Sequence, residues 1–274
     1  MTRRTLTRAR VVAAAMQKGG VGKTTTILNL ARAAATRGLR VLVIDFDPQG
    51  NTTTSLALEP VEKGHLTIAD AILPDDEEPE PLRDVIVKTI WPGVDLAPAL
   101  LKPLVKAERL VTAADHGREQ RLQVALEPAL SDYDLVLIDN APALGLLLMN
   151  ALVAADEVFA VAEADEWSCD GLAELAGTVA MAQKYYNSRL AWSGVLISRW
   201  RGTKSEDYWL NEIRTKFRVA EVWVQDKIPL WNSIKTTLSA GKGLDEAKEA
   251  RLRVLARSFR RIVARWVPDE ELTF

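Results

Sequence analysis

Short apolar runs alternate along the chain with longer stretches in which apolar residues recur every three or four positions, the pattern of buried strands separated by helices. Val11 to Met16 (VVAAAM) reads as a strand buried on both faces. Thr24 to Arg37 reads as a helix, with Ile27, Leu28, Leu30, Ala31 and Ala34 on one face and Gly38 as its stop. Arg40 to Asp45 (RVLVID) is a second strand that ends on a carboxylate. Strand, loop, helix and strand at this spacing make one βαβ unit, so the sheet is parallel and its ligands belong at the carboxyl ends of the strands. Downstream, Leu135 to Ile138, Val158 to Ala162, Ser193 to Ile197 and residues 219–224 read as further strands. Residues 146–154, 168–187, 203–218 and 245–266 read as helices, the last with Leu252, Leu255, Phe259, Ile262, Val263 and Trp266 on one face. Residues 85–98 read as one or two short strands around Trp91-Pro92-Gly93, and 101–129 as helices. The expected fold class is α/β, a doubly wound, mostly parallel sheet flanked by helices.

At 274 residues the chain is long enough for a sizeable core, and the lack of a clear linker favours a single domain over residues 11–267. A basic N-terminal arm (1–10) and an acidic C-terminal tail (268–274) flank it. The acidic, proline-rich PDDEEPEP at 74–81 cannot pack a core and is expected to be an exposed loop. No apolar run is long enough to span a bilayer, and MTRRTLTRAR leads into the first strand without a signal-peptide apolar region, so a cytoplasmic protein is expected. Cys169 is the only cysteine, which excludes an intramolecular disulfide and a cysteine metal cluster within one chain.

The net charge is −2, but it is unevenly placed: residues 11–188 hold 14 Lys and Arg against 26 Asp and Glu, and residues 189–266 hold 17 against 8. A polyanion partner for the basic part and ordinary arginine-rich helix surfaces account for this equally well. Six of the eight tryptophans (Trp192, Trp200, Trp209, Trp223, Trp231 and Trp266) fall in or beside that part. They could stack on bases, although packing is the commoner use of tryptophan.

The chemistry concentrates where the first strand breaks into KGGVGKTT. Gly19, Gly20 and Gly22 let the backbone curl so that N–H groups, those of Val21 and Thr25 among them, converge on an anion. Lys23 can reach β- and γ-phosphates, the Thr24 hydroxyl sits where a Mg²⁺ ligand is needed, and the following helix points its positive end at the same place. Gln17 stands where the common phosphate-loop pattern has its first glycine, and a second lysine, Lys18, precedes the glycines. At 45–51, DFDPQGN turns directly after a strand, so Asp47 and Gln49 project beside the loop. Asp139 ends a third strand, in DYDLVLIDNAPALG, where a carboxylate can hold Mg²⁺ through water.

The KGGVGKTT loop resembles the deviant Walker A of the ParA/MinD family of P-loop ATPases, whose nitrogenase relative is set aside because its cluster needs two cysteines per subunit. The resemblance implies ATP and Mg²⁺ as cofactors and Lys18 as the signature lysine, which reaches the nucleotide of a partner subunit in an ATP-dependent homodimer. It implies that Asp47 positions the attacking water, that Asp45 lies near the metal shell with Thr24 and Asp139, and that Ser198 and the Ile228-Pro229 pair lie near the adenine. It further implies slow, partner-stimulated ATP hydrolysis, nonspecific DNA binding on the nucleoid, and a ParB-like centromere-binding partner. Candidate DNA contacts are Arg199, Arg201, Lys204, Arg214, Lys216, Lys235 and Lys242. Leu230 and Ser233 stand where relatives often carry arginines, so the DNA face does not transfer directly, and Asn140-Ala141 departs from the usual Cys/Thr-Pro. No helix-turn-helix domain of the kind carried by some plasmid relatives is expected. The alternative is the same engine positioning a protein compartment, or a MinD-like division regulator held at a membrane by the terminal helix. The acids after that helix and the ParA-like DPQGN string make membrane binding the less favoured reading.

Overall fold

The structure, a computed structural model, describes residues 8–216 and 227–268. The strand expected at 219–224, Trp223, and the ends of the basic arm and acidic tail lie outside the described residues.

The seven described strands are β1 (Arg10–Ala15), β2 (Val41–Phe46), β3 (Val87–Lys88), β4 (Val94–Ala97), β5 (Leu135–Asn140), β6 (Glu157–Ala162) and β7 (Ala191–Ile197). They form one sheet in the order β3-β4-β2-β5-β1-β6-β7, parallel except for the short edge strand β3. The apolar runs are long enough for strands and too short for helices, and their central positions are almost wholly buried, as parallel strands covered on both faces require. From β1 the chain crosses β5's position to reach β2, whereas β6 and β7 add on the other side. The order therefore reverses at β1, which puts a crevice at its carboxyl end.

The helices are α1 (Lys23–Ala35), α2 (Asn51–Leu56), α3 (Ile68–Ala71), α4 (Leu82–Val85), α5 (Leu101–Ala113), α6 (Arg121–Leu126), α7 (Leu146–Ala154), α8 (Glu166–Tyr185), α9 (Lys204–Lys216), α10 (Asn232–Ser239) and α11 (Ala250–Trp266). The acidic 74–81 stretch is largely exposed, with one 3-10 turn at Asp75–Glu77, and Asp75 pairs with Arg121 at 2.8 Å.

The structure adds helices that the sequence did not announce, α2 and α10 among them, and corrects the start of another. The segment after Gly50 continues into α2, because Thr53 turns its N–H and hydroxyl onto Asp45 and so nucleates a helical turn. A short helix, α10, follows Ile228-Pro229; its sparse apolar positions, of which only Ile234 is buried, give little periodicity to read. The terminal helix starts at Ala250, since Leu244–Glu246 forms a separate 3-10 turn in which Glu246 accepts from the Gly243 N–H at 2.8 Å.

Helix α11 lies against α1. Arg32 of α1 makes a two-pronged contact with Asp245 at 2.9 and 2.8 Å, and Arg37 donates to the Val267 carbonyl at 2.7 Å. Its large apolar residues other than the exposed Val254 (Leu252, Leu255, Phe259, Ile262, Val263 and Trp266) are all 7% exposed or less, so the face a membrane would need is spent on the core. Trp266 packs on Phe159 with centroids 5.6 Å apart. Of the tryptophans in the basic part, those that are described are partly or fully buried, which favours packing over base stacking. No described helix is long and apolar enough to cross a membrane.

Candidate nucleotide-binding site

Gly22 caps α1 with φ 93°, a conformation that β-carbon residues rarely adopt, and as a glycine it offers no side chain to the helix's first N–H groups. Those groups stay available to an anion, backed by the helix dipole. Gly20 is likewise left-handed at φ 76°. Lys23 is 7% exposed and its ammonium donates to the Met16 carbonyl at 3.0 Å, so the lysine folds back along the loop it serves. Burial lowers its pKa, opposed by Asp139 and Asp47.

Asp45 and Asp139 are direct neighbours in the β2–β5 register. The Asp139 Oδ2 accepts from Thr24 at 2.7 Å and from Thr52 at 2.6 Å, while its buried Oδ1 has no partner. Burial pushes the Asp139 carboxyl above its usual range. Burial and the neighbouring Asp139 push Asp45 up to about 7, against hydrogen bonds from Thr53 and the Asp47 N–H. Thr53 holds Asp45 by both its N–H and its hydroxyl at 2.7 Å. An unpartnered carboxylate oxygen beside a threonine hydroxyl, in a site that penalises negative charge, fits a hard divalent cation with oxygen ligands. Among the described residues no cluster of three or more His, Cys, Asp or Glu could hold a metal alone, so any such shell needs further oxygen ligands, the Thr24 hydroxyl among them. Asp47 stands at the rim with its Oδ1 accepting from the Gln49 N–H at 2.9 Å, and it lines the same cleft.

The cleft has a volume of about 1090 Å³ and runs from the glycine loop to an apolar wall that includes Ile228, Pro229, Leu230 and Trp231. Ser198 is 3% exposed; its hydroxyl hydrogen-bonds the Val21 carbonyl of the loop, whereas Pro229 lies farther along on the wall. Lys18 reaches across to Asp165, the N-cap of α8, at 2.5 Å. Although burial works the other way, bonds from Lys18 and Ser168 hold the Asp165 carboxyl below its ordinary value.

The seven basic residues expected on DNA divide. Arg199 and Lys235 border the cleft, and Arg199 donates to the Gly20 carbonyl at 3.1 Å. Arg201 faces Glu206 at 3.6 Å and Lys216 faces Glu212 at 3.8 Å, while Lys204, Arg214 and Lys242 are exposed. Reading the sequence missed Thr52, Thr53, Glu163 and Asp165. The three threonines after Gly50 were a signal for the first two, but nothing local marked the acids, whose partners lie far off in the chain.

A phosphate loop between β1 and α1, a buried aspartate on the adjacent strand and a parallel sheet that reverses beside them define the P-loop ATPase class. Residues 9–192 match the family model described as AAA domain. The chain is 39% identical over 189 residues to the sporulation initiation inhibitor protein Soj of Bacillus subtilis, covering 69% of this chain and 72% of that protein. It is 37% identical over 212 residues to the chromosome partitioning protein ParA of Caulobacter vibrioides, covering 76% of each. The chain belongs to the ParA family of partitioning ATPases. Among solved structures it resembles cobyrinic acid a,c-diamide synthase from Mycobacterium smegmatis with a bound ATP analog and magnesium, at 26% identity and TM-score 0.77 over 97% of this chain and 99% of that one. The fold also matches an ATP complex of Cyanothece McdA at TM-score 0.83 and 22% identity, over 94% and 98% of the two chains.

Proposed function

We propose that this protein is an ATP-dependent, dimerising DNA-binding ATPase that segregates plasmid or chromosome DNA with a ParB-like partner. The observation that carries the reading is the loop itself: Lys18 and Lys23 flank left-handed Gly20 and Gly22 at the mouth of a cleft large enough for a nucleoside triphosphate. The loop N–H groups and Lys23 bind the phosphates, and Thr24 with Asp139 would hold Mg²⁺, which screens phosphate charge when bound. Asp47, at the rim, orients water toward the γ-phosphate. Lys18 leaves Asp165 and reaches the nucleotide of a second copy, coupling dimerisation to ATP.

Turnover is slow because the lysines are the main charge-stabilising groups that this chain brings to the cleft, and a partner accelerates it. DNA is held through phosphates by exposed basic residues, which needs no base reading. Lys204, Arg214 and Lys216 on α9 are suited to this. So is the outer face of α11, which carries six arginines and no acid and exposes Arg257, Arg260 and Arg261. The buried apolar face of α11 favours DNA over a membrane as the surface engaged.

Phosphate release with and without DNA, compared with Lys23→Ala and Asp47→Ala, tests the enzyme. The reading expects slow wild-type turnover that both variants abolish; turnover surviving in both would contradict it. Co-sedimentation with DNA and with anionic vesicles tests the surface, and ATP-dependent pelleting with vesicles alone would contradict the segregation role.

A further inference from the structure

The residues just after β7 hold two carbonyls of the phosphate loop at the edge of the cleft. The Ser198 hydroxyl donates to the Val21 carbonyl, and the Arg199 guanidinium donates to the Gly20 carbonyl at 3.1 Å. Glu163, just past β6, steadies that guanidinium at 3.3 Å from Nε. The two carbonyls belong to consecutive peptide units. Every described peptide is trans, so in each unit the N–H points opposite to the C=O. Fixing the Gly20 carbonyl therefore aims the Val21 N–H away from β7, and fixing the Val21 carbonyl does the same for the Gly22 N–H. An N–H whose partner carbonyl is bonded to a cation is also a more polarised donor. Arg199 makes this contact from φ 53°, left-handed backbone that side-chain-bearing residues adopt at a cost. Strain of this kind persists where surrounding contacts over-determine it, and it gathers at functional sites.

We propose that Arg199, with Ser198, is a positioning residue for the nucleotide site: it pre-aims two loop N–H groups at the phosphates of a nucleoside di- or triphosphate and is not part of the DNA surface. This rests on reading the loop as a nucleotide cradle. It makes the end of β7, the strand farthest from β2 on that side of the sheet, a determinant of phosphate affinity. The role of Glu163 is to keep the half-exposed guanidinium turned toward the loop.

The test is titration of the full-length protein with ADP·Mg²⁺ and ATP·Mg²⁺, alongside thermal melting without nucleotide and DNA binding across a salt series. Arg199→Met should weaken both nucleotides about tenfold, the worth of one charge-assisted hydrogen bond, and Arg199→Lys should recover part of it. Arg199→Gly is the discriminating variant. It relieves the left-handed strain, so the nucleotide-free protein should melt at the same or a higher temperature while still binding nucleotide about tenfold more weakly. Under saturating ATP the salt dependence of DNA binding should stay that of wild type. Wild-type nucleotide affinity in Arg199→Met, or a flattened DNA salt slope with nucleotide affinity intact, would overturn the clasp alone. A wild-type protein that bound neither nucleotide would instead overturn the cradle reading beneath it.

Discussion

Lys18 and Asp165 face each other at 2.5 Å across 147 positions of sequence, each side chain about one-third exposed. The lysine that the ParA resemblance assigns to a neighbouring subunit's nucleotide is thus engaged within its own chain, by the residue that caps α8. A partly exposed pair of this kind contributes only about 0–1 kcal/mol. That is weak enough for a triphosphate to displace, as the proposed switch requires.

Asp165→Asn keeps a capping oxygen for Ser168 but frees Lys18. ATP-dependent self-association should tighten a few-fold, by up to about one factor of five for an ion pair worth under 1 kcal/mol. Analytical ultracentrifugation with ATP reads the shift; an unchanged or weakened dimer would show that the pair is incidental.

The buried Asp139 is costly to the folded chain before any cation arrives. Asp139→Asn removes that charge while keeping an acceptor for Thr24 and Thr52, so the nucleotide-free protein should melt at a higher temperature. The added stability that Mg²⁺ gives the nucleotide-bound wild type should vanish in the variant. Calorimetry with and without EDTA decides, and a lower melting point without nucleotide would refute the cost.

Arg32 ties α1 to the turn before α11 through Asp245. Burial alone would raise the Asp245 carboxyl, but the bonds from Arg32 outweigh it and hold the carboxyl below its ordinary value. Its folded pKa is depressed, so the stabilisation is complete above the unfolded carboxylate value of about 3.9 and is lost as pH falls through the folded value. Asp245→Asn should cost about 1 kcal/mol near neutrality, and the gap to wild type should close in acid. Urea unfolding at several pH values measures it; a gap that widens on acidification would have the wrong sign.

The outward arginines of α11 lie at i, i+3 and i+4 spacings, where like charges repel on a bare helix. Arg257→Ala should weaken DNA binding whatever the sequence and reduce the salt slope by about one unit for each phosphate that is no longer neutralised. Fluorescence anisotropy over a salt series is the check, and a sequence-selective weakening would point to base reading.

Most of the sheet was legible because its main strands are short apolar runs, four of them ending at a carboxylate or a serine, and α7 was read at its true bounds from Leu146 to Ala154. The loop was legible because its glycines and lysines are contiguous. What escaped was built by distance. Asp165 and Glu163 gain their meaning only when β6 is laid beside β1, and Arg199 looked like any basic surface residue until the sheet brought it to Gly20, 179 positions away. Helix α10 was missed for the opposite reason, being local but with too few buried positions to show a period.

The most direct test is the molar mass of the Asp47→Ala protein by light scattering, with ADP and with ATP, beside the same protein carrying Lys18→Ala. Fuel-gated pairing predicts a doubled mass with ATP only, and a single subunit when Lys18 is lost although ATP still binds. A mass that ignores which nucleotide is present, or a pair that survives the loss of Lys18, would contradict it.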